Sequence, residues 1–297
     1  MKVKLARFLY EDHEHVGALV GDDVLDLTPA VGAQSVKQII ENWAACRAQI
    51  ESAMDSGGPT IPIAKIKLAA PLHQPGKFLL LAGNYREHIV ESGYAAPPPG
   101  TITPQFFSKP VTTIIGPHEP VVITSRNVAV DWEAELAVVI GRRGKNIRSE
   151  EALQYVFGYT IVNDVSERRM NANIPDRTKR SNDEFFDWLT GKWFDTFAPM
   201  GPVIVTADEI PDPSQLTIIA RLNGEQVQCA PTSTMIFDVP ALIAYISEIL
   251  TLEPGDVIST GTPAGVGLSR GRFLQAGDVI ECQIEGIGTL VNPVVSA

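Results

Sequence analysis

The sequence predicts a β-rich α+β protein. Three observations carry that reading. Short apolar–polar alternations recur through residues 3–28 and through the last 40 residues, which is the period of half-buried strands. Asn223-Gly224 separates the runs 217–222 and 225–228, a hairpin signal because a type I′ turn needs positive φ at both central positions. The clearest helical stripe is 238–250, with Val239, Leu242, Ile243, Ile246, Ile249 and Leu250 on one side.

Taken in order, residues 2–8, 15–20 and 24–27 read as a small β meander, with Gly21-Asp22 turning the chain before its third strand. Ser35 predicts the cap of a helix running to about Met54, with Ile39, Ile40, Trp43, Ile50 and Met54 near one face. The stretch 56–62, SGGPTIP, marks a boundary between a small N-terminal β-rich domain, 1–70, and a main domain, 71–297. The main domain opens with strand 77–84 and a proline-rich loop, 95–104. A helix over 149–156 and a strand over 158–163 follow. The polar stretch 164–191 has no regular period. Asp238 caps the 238–250 helix, Pro240 lies in its first turn, and Pro254-Gly255 closes it. There is no internal repeat.

At 297 residues the chain is long enough for one large core or two domains. Its net charge of −11 argues against nucleic acid or an anionic membrane surface as the main partner. No apolar run approaches the roughly 18 residues of a membrane span. The segment MKVKLARFLYEDHEH meets charge too soon for a signal peptide. Cys46, Cys229 and Cys282 are odd in number and widely spaced, so they read as reduced thiols of a cytoplasmic protein.

The chemistry concentrates in DWEAELAVVIG, 131–141. Asp131, Glu133 and Glu135 share one parity, and Glu133 and Glu135 stand roughly 6.6 Å apart along a strand that then turns apolar. Two carboxylates that close either share a proton or share a cation. A solvated strand edge is the alternative. In GYTIVND, 158–164, Asp164 sits where a strand leaves for a loop. Three carboxylates without a neighbouring histidine or thiolate suit a hard ion, Mg²⁺ or Mn²⁺, and not zinc.

Further along, His88 and Glu91 lie one helical turn apart, with Asn84 and Glu87 placed as a capping box. A carboxylate beside an imidazole suits a general base, although exposed pairs of this kind are common. Lys192, before Trp193 and Phe194, suits an oxyanion partner, or else a solvated lysine covering the indole. Arg168 or Arg169 can fork a substrate carboxylate. In STGTPAGVG, 259–267, backbone N–H groups and the Thr262 hydroxyl can bind a carboxylate, or the segment is a plain turn.

The order GNYREH…E, DWEAELAVVIG, GYTIVND, GKWFDTFAPMGP and GDVISTGTPAGVG resembles the fumarylacetoacetate hydrolase family over roughly residues 75–295. The resemblance implies a mixed β-roll with a small leading β domain, usually as a homodimer. It implies Mg²⁺ or Mn²⁺ (Ca²⁺ as a crystallographic substitute) on Glu133, Glu135 and Asp164, and a water-activating dyad of His88 and Glu91. It also implies catalytic Lys192 and substrate contacts from Arg168, Thr262 and Asn171. The stretch between Arg168 and Lys192 is longer than in the shorter members. The implied activity is hydrolysis of a C–C bond in a 2,4-dioxo acid such as an acylpyruvate, through a metal-stabilised enolate. Oxaloacetate decarboxylation or tautomerisation, and hydration or isomerisation of a 2-oxo-enoate, use the same parts. Cleavage of a diketo sugar acid and a non-catalytic metal-stabilised binding protein are the remaining alternatives.

Overall fold

The computed structural model describes residues 2–98 and 100–297. Among these the strands form a large twelve-stranded sheet, a five-stranded sheet and a two-stranded ribbon. The centre of the large sheet is Ala198–Thr206, Val156–Asn163, Ala134–Ile140, Val257–Ser259 and Phe78–Ala82, side by side in that order. Most pairs are antiparallel, but Val257–Ser259 runs parallel to Phe78–Ala82, so the sheet is mixed. The five-stranded sheet orders Glu225–Pro231, Thr217–Leu222, Val279–Ile284, Gly288–Ser296 and Val121–Ile123. The fold is thus β-rich α+β with mixed sheets and no closed barrel among the described residues, as the sequence predicts.

Strand Ala134–Ile140 shows how the core is built. Leu136, Val138 and Ile140 join Ile218, Ala220, Ile280 and Leu242 in one apolar cluster. Ala137 and Val139 join Ile39, Ile40 and Ile50 in another on the opposite face. A strand covered on both faces must be apolar at every position, which is why this segment reads as a run and not an alternation. Each fully buried Val, Leu or Ile contributes about 1.5–3 kcal/mol, so the strand is held firmly where its polar end meets the site.

At the N-terminus, Lys4–Tyr10 pairs antiparallel with Ala198–Thr206, matching Leu5 to Ile204. The N-terminal strands therefore continue the large sheet. Thr60–Pro62, inside the segment read as a boundary, is the strand beside Asp23–Asp26.

Several elements depart from the sequence reading. Ser35 does cap a helix, accepting from the Gln38 N–H at 3.2 Å. That helix ends at Glu41, and a second runs Trp43–Asp55. The break is at Asn42, whose side-chain amide occupies the Gln38 carbonyl. Residues Ser149–Tyr155 form a 3₁₀ helix instead of an α-helix. The polar stretch contains one α-helix, Asp183–Thr190, missed because eight residues give few repeats of the period. Helix Val239–Ile249 is capped by Asp238 as expected, but Ile249 is 56% exposed. Buried Ser247 sits on that face instead, accepting from the Ile147 N–H at 2.8 Å. At Asn223-Gly224 the chain takes φ 53° and 82°, the mirror-image turn expected.

Candidate active site and metal centre

Register brings the acids together. Ala134 pairs with Asn163, so Glu133 and Asp164 leave adjacent strands side by side, with the Asp164 N–H donating to the Glu133 carbonyl at 2.9 Å. Glu135, one residue inside the strand, faces the same space. Oxygens of Glu133, Glu135 and Asp164 lie within 4.8 Å of one another, and all three residues are buried. These are the three acids that the sequence selects as ligands.

Three cations surround them. Lys192 Nζ bridges Glu133 Oε2 at 3.0 Å and Asp164 Oδ2 at 2.6 Å, and donates to Ser166 Oγ. Arg168 spans Asp131 Oδ2 at 2.8 Å and Glu133 Oε1 at 2.5 Å. Lys109 donates to Asp164 Oδ1 at 2.7 Å and to the Val165 and Phe197 carbonyls, using all three of its protons. Glu135 is treated differently. Its Oε2 accepts from Ser259 Oγ and the Gly261 N–H, while its Oε1 is buried with no partner among the described residues.

The charge states follow from these contacts. Burial pulls Glu133 upward, but Lys192 and Arg168 outweigh it and hold the carboxyl well below its ordinary value. Burial, then Asp164 and Glu133, push Glu135 well above it. Burial pushes Lys109 down against the pull of Asp164. Lys192 is raised, since Asp164 and Glu133 overcome its burial. Four buried carboxylates, counting Asp131, thus face three cations, and Glu135 is left without one. The residues fit a hard dication: the donors are all carboxylate oxygens, and an orphaned, buried Glu135 Oε1 points to a missing positive partner.

The dyad is assembled across two segments. His88 Nδ1 lies 2.8 Å from Glu91 Oε1. Glu91 Oε2 accepts from the Gly265 N–H at 2.8 Å and Ser269 Oγ at 2.7 Å. Burial raises the Glu91 carboxyl, yet these three hydrogen bonds leave it below its ordinary value. With Nδ1 engaged, Nε2 is the nitrogen left for proton transfer. Helix Arg86–Glu91 starts at Tyr85 and has no side-chain cap, so the expected capping box from Asn84 does not form. Asn84 instead donates to the Thr260 and Phe237 carbonyls and accepts from the Phe237 N–H. It ties the dyad helix to the glycine-rich loop. Gly261, at φ +90°, lets that loop pass Asn84: a Cβ there would stand 2.9 Å from the Asn84 Cβ.

Two of the expected substrate contacts, Thr262 and Asn171, hydrogen-bond within the protein, as Arg168 does. Thr262 Oγ1 donates to the Ala134 carbonyl and accepts from Gln228 Nε2, anchoring the loop to the metal strand. Asn171 accepts from Arg126 and donates to Asp187. Sequence reasoning missed Lys109 and Ser259. A lysine in FFSKP looks like an ordinary charge on an edge strand, and only the fold turns it inward. Trp188 and Phe107, whose rings meet at 5.0 Å, lie over Lys192 Nζ at 5.6 and 5.2 Å. A cleft of about 420 Å³ opens beside Glu91, between Gln228 and Ser269.

A family profile described as fumarylacetoacetate (FAA) hydrolase C-terminal matches residues 77–295. The Xenopus laevis protein named oxaloacetate tautomerase fahd2, mitochondrial, is 41% identical over 280 residues, 93% of this chain and 83% of that one. The human protein named oxaloacetate tautomerase FAHD2A, mitochondrial, is 40% identical over 264 residues, 88% of this chain and 80% of its own. Among solved structures, a fumarylacetoacetate hydrolase from Exiguobacterium antarcticum superposes with TM-score 0.83 at 34% identity, covering 99% of this chain and 100% of that one. A maleylpyruvate hydrolase from Sphingobium sp. SYK-6, in complex with manganese(II) ion and pyruvate, gives TM-score 0.80 at 32% identity, covering 99% of each chain.

Proposed function

Because the chain belongs to the fumarylacetoacetate hydrolase family, we propose that it is a Mg²⁺- or Mn²⁺-dependent enzyme of 2-oxo acids, and that it interconverts the keto and enol forms of oxaloacetate. The observation that carries this is the convergence of Glu133, Glu135 and Asp164 within 4.8 Å beside Lys192. A divalent ion on those carboxylates would supply Lewis acidity toward the 2-oxo acid and charge stabilisation of its enolate.

The chain's own residues supply the rest. His88 takes a proton from C3 and delivers that proton to the C2 oxygen as the enol forms; the return path reverses both transfers. Glu91 holds the imidazole by Nδ1, so the proton moves at Nε2. Lys192 places a buried positive charge where enolate charge develops, the kind of stabilisation worth several kcal/mol elsewhere. Arg168 offers its guanidinium to a substrate carboxylate.

The sequence expectation put C–C hydrolysis first. Relatives at 40–41% identity named for tautomerisation support the alternative more strongly. Hydrolysis of an acylpyruvate is the second reading, supported by the maleylpyruvate hydrolase and by a histidine–carboxylate pair, an arrangement that suits a general base acting on water. Product analysis decides between them. The tautomerase reading expects Mn²⁺-dependent relaxation of enol-oxaloacetate to the keto form and slow turnover of acylpyruvates. Faster cleavage of acylpyruvates would favour the hydrolase, and carbon dioxide release from oxaloacetate would indicate a decarboxylase. The dimer remains a proposal that sedimentation can test. Reduced thiols suit a reducing compartment such as the cytosol, whereas the two tautomerases just named are described as mitochondrial.

A further inference from the structure

Asp131 opens the acidic segment but is not one of the three clustered carboxylates. It is fully buried, and its oxygens face two parts of the molecule. Oδ2 accepts from Arg168 Nε at 2.8 Å and from the Leu268 N–H at 3.0 Å. Oδ1 accepts from the Gly267 N–H at 2.5 Å and from the Trp132 N–H at 2.8 Å. Arg168 reaches onward to Glu133. The loop that donates Gly267 and Leu268 also donates the Gly265 N–H and the Ser269 hydroxyl to Glu91, which holds His88. Glycine at 267 permits the contact, since a Cβ there would stand 2.7 Å from Asp131 Oδ1 and 2.1 Å from the Arg272 carbonyl.

We propose that Asp131 is a positioning residue that registers the substrate-facing Arg168 against the loop orienting the His88–Glu91 dyad. One carboxylate thereby sets the distance between the group that binds the acid and the group that moves the proton. A buried carboxylate satisfied by four donors has no freedom to let one side move alone. The proposal rests on the reading of Arg168 and His88 given above for its catalytic meaning, but not for the coupling itself.

The test uses the full chain with Mn²⁺. Asp131→Asn keeps the shape and removes one acceptor. Its amides at Gly265, Gly267 and Leu268 should exchange hydrogen about tenfold faster while strand Ala134–Ile140 stays protected, and kcat should fall and KM for oxaloacetate rise by about tenfold each. Combined with Glu91→Gln, its kcat loss should be smaller than the product of the two single losses, because both act through one loop. Faster loop exchange with kcat and KM unchanged would reduce Asp131 to a local cap and overturn the proposal, as would fully multiplicative losses. If Asp131→Asn does not fold, Arg168→Lys decides: loosened amides at 265–268 support the link, and unchanged exchange overturns it. A wild-type chain inactive on oxaloacetate and acylpyruvates would sink the functional reading, while the Arg168→Lys exchange would still decide the coupling.

Discussion

Lys109 Nζ stands 2.7 Å from Asp164 Oδ1, with both side chains cut off from solvent. The ammonium's other two protons go to backbone carbonyls, so it is fixed, and it fixes the aspartate in turn. Asp164 therefore keeps Oδ2 turned toward Glu133 and Lys192. Removing Lys109 would leave Asp164 paired with Lys192 alone in a cluster already short of cations, at a cost of up to about 3–5 kcal/mol, the figure for a buried charge left fully unpaired.

Lys109→Met should lower unfolding stability by up to that amount and weaken Mn²⁺ binding by about 10–100-fold. Denaturant unfolding and calorimetric titration check the two effects. Stability and Mn²⁺ affinity both near wild type would show that Asp164 does not need this lysine.

Lys192 behaves differently, because it shares the oxygens that face the cluster. Lys192→Met should abolish most turnover, on the order of 10²-fold or more. Mn²⁺ affinity should hold or rise, since an ammonium no longer competes for Glu133 and Asp164. A weakened metal site in that variant would mean that Lys192 builds the centre rather than serving the substrate.

For Glu91 the sign of the pH effect is set by a lowered carboxyl pKa. A depressed folded-state pKa gives a stabilising contribution that is complete above the ordinary carboxylate value and fades as pH falls through the lowered one. The dyad should therefore stay engaged through mildly acidic pH. Glu91→Gln should cut kcat by about 10²-fold at every pH above the lowered Glu91 value. A wild-type acidic limb that vanishes in Glu91→Gln would assign the titration to Glu91 and contradict this.

Thiol chemistry gives a check on burial. Cys229 is exposed, whereas Cys46 and Cys282 are buried, and burial pushes both of their thiols up. Ellman's reagent should titrate one thiol quickly in the native chain and three after unfolding. Two fast native thiols would mean that helix Trp43–Asp55 around Cys46, or the sheet around Cys282, opens readily.

The sequence was most legible where local chemistry decides. The Asn223-Gly224 turn and the Asp238 cap depend on a few adjacent residues, and both form where expected. The acidic triad was legible for a related reason: strand parity and a strand terminus are local properties, and register then brought Glu133 and Asp164 together. What stayed hidden depends on partners far along the chain. Lys109 finds Asp164 only through tertiary packing, and Asn84 gives up a local cap for Phe237 and Thr260. Ile249 follows the helical stripe yet faces outward, because its neighbour Ser247 satisfies the loop at Ile147.

The central claim is that Glu133, Glu135 and Asp164 form a site for a hard divalent ion. Calorimetric titration of Mn²⁺ into the wild-type chain, Glu135→Gln and Asp164→Asn tests it most directly. One ion per wild-type chain, with affinity lower by about tenfold or more in each variant, is the predicted result. Equal binding by all three proteins, or none by the wild type, would contradict it.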